Sequence, residues 1–80
     1  MTRPEILQTI TATLADLLEQ DDLALSESAS ARTVDGWDSI NNVRLLISLE
    51  QEFGFEFATD EIERLKNVGA LIDLIESKRG

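Results

Sequence analysis

The stretch Gly36-Trp37-Asp38-Ser39-Ile40-Asn41-Asn42-Val43-Arg44-Leu45-Leu46-Ile47-Ser48-Leu49-Glu50-Gln51-Glu52-Phe53-Gly54 decides the fold. Asp38 is a favourable N-cap, because its carboxylate can accept from an orphan amide of the first helical turn. Gly54 stops the helix, since glycine takes the left-handed cap conformation without a Cβ penalty. Between these ends, Leu45, Leu46, Leu49 and Phe53 cluster on one side of the helical wheel, whereas Ile40, Val43 and Ile47 lie roughly 120° or more from that cluster's centre. One core contact does not need both sets. The second patch is either covered by another element or left partly exposed for a partner, and the pattern alone leaves both open.

Working outward, Thr2-x-x-Glu5 reads as a capping box with Pro4 inside the first turn, where its missing N–H costs nothing. Ile6, Leu7, Ile10, Leu14, Leu17 and Leu18 then form one core-facing stripe. From Gln20 to Asp38 the helical period gives way to Asp-Asp, Ser-Glu-Ser-Ala-Ser and Asp-Gly. This connection exceeds the ~12–15 residues usual for structureless loops, and such loops are often functional. Leu23, Leu25, Val34 and Trp37 can anchor it to a bundle. Beyond Gly54, Phe53-Gly54-Phe55-Glu56-Phe57 alternates but fits an extended connector better than a strand. Thr59 or Asp60 is expected to cap a short helical segment from Glu61 to Leu65. Asn67 is expected to cap a last helix carrying Val68, Leu71, Ile72 and Ile75 at i, i+3, i+4, i+7 spacing. The expected architecture is one all-α domain over residues 1–80: a four-helix bundle with a long first loop and a short third helix.

Sixteen acidic residues against seven basic ones give a formal net charge of -9. That field repels nucleic-acid phosphates and anionic membranes, so neither is an expected partner and basic proteins are. With no cysteine and no histidine, the chain has neither thiolate chemistry nor an imidazole base. Its start lacks an apolar leader segment and no apolar run approaches the ~18 residues of a membrane span, so a cytoplasmic location is expected. A calcium loop fails on spacing. Counted from Asp35, position six is Ile40 and position twelve Leu46; counted from Asp22, position six is Glu27 and the closing glutamate is missing. A nucleophilic-serine enzyme fails because nothing in the chain can take the Ser39 proton as histidine does. Ser39 is better suited to accept a group: a phosphate attached there would meet unpaired N–H groups and the positive end of the helix dipole. On physics alone the plainer reading is favoured, in which Asp38 and Ser39 are ordinary helix-start residues.

Gly36-Trp37-Asp38-Ser39-Ile40, followed by Val43, Leu45-Leu46, Leu49-Glu50 and Glu52-Phe53-Gly54, resembles the attachment-site helix of acyl carrier proteins. The likeness covers nearly the whole chain, from the amphipathic first helix and long loop to the short acidic third helix and closing V-x-x-L-I-x-x-I. It implies a non-catalytic carrier, acting as a monomer, with 4′-phosphopantetheine on Ser39. Asp38 and Ile40 would help a phosphopantetheinyl transferase recognise the serine. Val43, Arg44, Ile47 and Glu50 would form the docking patch for acyl-loading and acyl-processing enzymes. The same resemblance turns Leu46, Leu49, Ile62, Leu71 and Ile75 inward, where a short cargo can shelter.

Departures from the fatty-acid type narrow the reading. Where that type is acidic on the exposed side of the second helix, this chain has Asn41, Arg44 and Gln51, with Glu50 as the main acid left. Trp37 and Ser39-Ile40-Asn41-Asn42-Val43-Arg44-Leu45-Leu46 look more like discrete carriers of polyketide, peptide or surface-sugar gene clusters. Asn42 points inward on the wheel and requires a hydrogen-bond partner if buried. The rival reading is an acidic helical adaptor that docks a basic protein through Ile40, Val43 and Ile47 without modification.

Overall fold

The computed structural model describes residues 2–79, and its helices are α1 (Arg3–Leu18), α2 (Ser39–Phe53), α3 (Thr59–Glu63) and α4 (Val68–Arg79). No strand occurs among the described residues. Thr2 caps α1 reciprocally: its Oγ1 accepts from the Glu5 amide, while its own amide donates to Glu5 Oε1 at 2.9 Å. Glu19 ends α1 in the left-handed region at φ 56°, and its amide and that of Gln20 donate to the last carbonyls of the helix. Gly54 ends α2 at φ 77° in the expected way.

α1 packs against both α2 and α4. Ile6, Ile10 and Leu14 meet Leu45, Leu46 and Leu49 of α2 and Val68, Leu71, Ile72 and Ile75 of α4 in a single core, closed by Trp37 and Phe57. Leu7, Leu17, Leu18 and Phe53 from the expected stripes, and Leu23, Leu25 and Val34 from the loop, are partly buried against it. The long loop is therefore held rather than free. Its carbonyls at Ala29 and Glu27 accept from the Val68 and Gly69 amides at 2.9 and 2.7 Å, satisfying orphan donors at the start of α4. Arg3 adds an ionic tie, meeting Glu27 of the loop and Asp73 and Glu76 of α4, and these carboxylates hold its guanidinium more firmly protonated. Asn67 caps α4 as expected, its Oδ1 accepting from the Ala70 amide at 2.8 Å.

The third helix corrects two expectations. It begins at Thr59 rather than Glu61, two residues early, with Ala58 at the N-cap, and it ends at Glu63 rather than Leu65. The alanine has no side-chain oxygen to offer, so only half of a capping box forms: Glu61 Oε1 accepts the Ala58 amide at 2.7 Å. Glu61 also holds Lys78 of α4 at 2.8 Å, which fixes the turn from outside without a side-chain cap from Thr59 or Asp60. No α3 residue is buried, and Ile62, expected inside, is 36% exposed. One turn of helix presents one narrow face, and the flanking Phe57 and Leu65 reach the core in place of Ile62.

The Lys78 hydrogen bond, and then the Ala58 amide, hold the Glu61 carboxyl below its ordinary value of 4.5. A depressed carboxylate pKa gives stability that is present above the ordinary value and lost as pH falls through the depressed one. Glu61→Ala is accordingly expected to lower the melting temperature at pH 7, with the gap to wild type narrowing steadily in melts taken from pH 5 to pH 2.5. A gap that does not change with pH would show that the Glu61 charge is immaterial.

Candidate functional site

The approach to α2 is built by a left-handed turn. Gly36 sits at φ 87°, which an L side chain rarely adopts, and from there Trp37 turns into the core while Asp38 is placed to cap. Asp38 Oδ1 accepts from the Asn41 amide at 2.8 Å, and the Asn41 side chain donates back to the Gly36 carbonyl at 2.9 Å. Both ends of the turn are thus tied to the first turn of the helix. The inward-pointing Asn42 has its partner here: its Oδ1 accepts from Trp37 Nε1 at 3.1 Å. That bond satisfies the indole N–H, the polar atom a buried tryptophan must place.

Ser39 is the first residue of α2 and is exposed. With Asp38 serving the Asn41 amide, an anion on Ser39 Oγ meets the remaining first-turn amides and the positive end of the helix. The serine also lines a cleft of about 410 Å³, together with Trp37, Asn42 and Leu46 and with Leu71 of α4. A flexible arm bearing amides and methylenes suits such a lining, which offers apolar walls and amide groups together.

Ile40, Val43 and Ile47 are 64%, 55% and 49% exposed, so the question left open by the wheel is settled toward solvent. Arg44 lies exposed among them and has no carboxylate partner among the described residues. Glu50 continues the stripe but is half-buried, and its Oε2 accepts the Phe57 amide at 2.7 Å, which secures the connector after α2. Among the described residues no helix is long and apolar enough to cross a membrane.

A model of the family described as phosphopantetheine attachment site matches residues 8–75, a span that includes Ser39. The chain is 37% identical over 78 residues to an acyl carrier protein of Thermosynechococcus vestitus, covering 98% of this chain and 96% of that one. It belongs to the acyl carrier protein family. An acyl carrier protein of Lactobacillus acidophilus is 35% identical over 80 residues, with both chains covered in full. The solution structure of a holo acyl carrier protein from Geobacter metallireducens superposes with a TM-score of 0.83 at 36% identity, covering 90% of this chain and 83% of that one. As an acyl carrier protein the chain is a carrier rather than an enzyme, and its cofactor is covalently held 4′-phosphopantetheine. Its dealings are with a phosphopantetheinyl transferase and acyl-processing enzymes.

Two residues at the site had no signal in the sequence. Arg32 of the long loop and Lys66 of the α3–α4 connector line the same cleft as Ser39. Neither lies in a motif, and only the folded path of two irregular segments brings them there.

Proposed function

We propose that Ser39 carries the phosphopantetheine arm and that the carrier, acting as one domain and as a monomer in the cytoplasm, delivers thioester-bound acyl groups to the separate enzymes of a fatty-acid, polyketide or related specialised pathway. The observation that supports this most is the exposed Ser39 hydroxyl at the start of α2, held beside a cleft by the Gly36–Asp38 turn. In the transfer, Ser39 Oγ bonds to the pantetheine-side phosphorus of coenzyme A. The pyrophosphate P–O bond breaks, adenosine 3′,5′-bisphosphate leaves, and the serine proton passes to the transferase. Asp38 and Ile40, exposed on either side of Ser39, offer the transferase a charge and an apolar contact. Val43, Arg44, Ile47 and Glu50 follow along α2 as the docking stripe. Docking there is weak and exchangeable, since a tether already raises the effective concentration of cargo and the carrier must leave again.

Ser39→Ala is expected to stay folded, because an exposed hydroxyl contributes at most about 1 kcal/mol, and to accept no arm from coenzyme A and a broad-specificity transferase. Intact-mass measurement beside a thermal melt checks both halves. Modification of the alanine variant at another serine would overturn the assignment. An adaptor that docks partners without modification would leave the wild type itself unchanged in mass.

A further inference from the structure

The cleft beside Ser39 has two chemically different ends. One is formed by Trp37, Asp38, Ser39, Asn42, Leu46 and Leu71. The other, formed by the long loop and the α3–α4 connector, is shared with a neighbouring cleft that Ser39 does not line. Arg32 and Lys66 line both clefts, whereas Ser39 lines the first alone. The chain as a whole has a net charge of -9, yet these two cations are not neutralised within it. Arg3, Arg64 and Lys78 meet carboxylates, whereas Arg32 and Lys66, like Arg44 of α2, have none among the described residues, and of these three only Arg32 and Lys66 line the cleft. The carboxylate lining the cleft is Asp38, which lies at the serine end and is engaged with the Asn41 amide.

From this arrangement we infer that the cleft selects cargo bearing a second, free carboxylate, held by Arg32 and Lys66 at the end distant from Ser39. The inference rests on Ser39 carrying the arm. The phosphodiester is bonded to Ser39 itself and so belongs at the serine end, where the helix amides meet it. An anion at the far end must come from the cargo. Leu46 and Leu71 give the arm an apolar wall on the serine side, and a guanidinium and an ammonium lining one cleft suit a carboxylate, whose two oxygens can take separate charge-assisted hydrogen bonds. A neutral acyl chain of the same length leaves both cations as they are and gains nothing from them.

The test loads malonyl and propionyl arms onto Ser39 from the corresponding coenzyme A thioesters, the two cargos differing by the carboxylate. Each loaded carrier is cleaved with hydroxylamine, and its rate is divided by that of the free coenzyme A thioester. Intact mass is read first: a chain that takes no arm overturns the carrier reading, while one that takes the arm and fails to discriminate overturns only this inference. The expected result is a malonyl ratio about two- to fivefold below the propionyl ratio, the range an exposed ion pair supports, shrinking as salt is raised. Arg32→Gln with Lys66→Gln is expected to abolish the difference while leaving the propionyl ratio unchanged, and Arg32→Lys with Lys66→Arg to retain it. Amide shifts at residues 30–32 and 65–67 are expected to move on malonyl loading and not on propionyl loading. Equal ratios in the wild type, a difference that survives in the glutamine pair, or shifts already complete with the unloaded arm would each overturn the inference, the last by assigning the cations to the phosphodiester.

Discussion

Leu49→Ala and Leu46→Ala are each expected to destabilise the fold by ~2–5 kcal/mol, whereas Ile47→Ala, between them in sequence, should cost under about 0.5 kcal/mol. Leu49 is completely buried among α1, α2 and α4, so its truncation leaves a closed void that a bundle of short helices cannot refill. Leu46 is 4% exposed and borders the cleft, so part of its void opens to water and its loss should fall at the lower end. Ile47 points into solvent and removes little from the core. A chain of this size has ~5–15 kcal/mol of stability to lose, so either core variant can leave it close to unfolded. Urea titration of the three variants checks this, and equal losses at all three would show that α2 does not have two separate faces.

The second large effect concerns partner choice. Arg44 is exposed in the midst of Ile40, Val43 and Ile47 and has no carboxylate partner among the described residues, so a docking enzyme meets a positive charge at the centre of the apolar stripe. Enzymes whose basic surface is shaped for acidic fatty-acid carriers meet repulsion there. The penalty at a partly exposed interface is on the order of 1–3 kcal/mol, or about 5–150-fold in kcat/KM, much of it in association rate. Arg44→Glu with Asn41→Asp is expected to recover that loss with a fatty-acid synthase ketosynthase or malonyl transferase and to weaken binding to the carrier's own partner. The gain should shrink as salt screens the charges. Asn41 also donates to the Gly36 carbonyl, so Arg44→Glu alone is the control that keeps the turn intact. A wild type already as active as acidic carriers, or a double variant that gains nothing at low salt, would remove Arg44 as a specificity element.

What could be read from the sequence followed from local rules. The Thr2, Asp38 and Asn67 caps and the Gly54 stop lie beside the amides or the helix end they serve, so the chain nearby specifies them. The division of α2 into a core face and an Ile40, Val43, Ile47 face is also periodic information, but its solvent exposure depends on what else packs nearby, and only the fold supplies that. Asn42 needed a partner; that it is Trp37, five residues earlier, depends on how the positive-φ turn at Gly36 aims the indole. Ile62 is placed inside by the family resemblance alone, but the single turn of α3 buries none of its own residues, and Phe57 and Leu65 on either side reach the core instead. Arg32 and Lys66 lie in segments without period, where position is set by contacts distant in sequence, chiefly the loop carbonyls on the start of α4.

The central claim is that Ser39 holds the arm, and trypsin offers a direct way to test it. Cleavage after Arg32 and Arg44 releases residues 33–44, in which Ser39 is the only serine. After incubation of the folded chain with coenzyme A and a transferase, tandem mass spectrometry of that peptide is expected to show one phosphopantetheine group on Ser39, with the peptides bearing Ser26, Ser28, Ser30, Ser48 and Ser77 unmodified. A group found on any of those serines, or an unmodified 33–44 peptide from a folded chain under conditions that fully modify another acyl carrier protein, would contradict it.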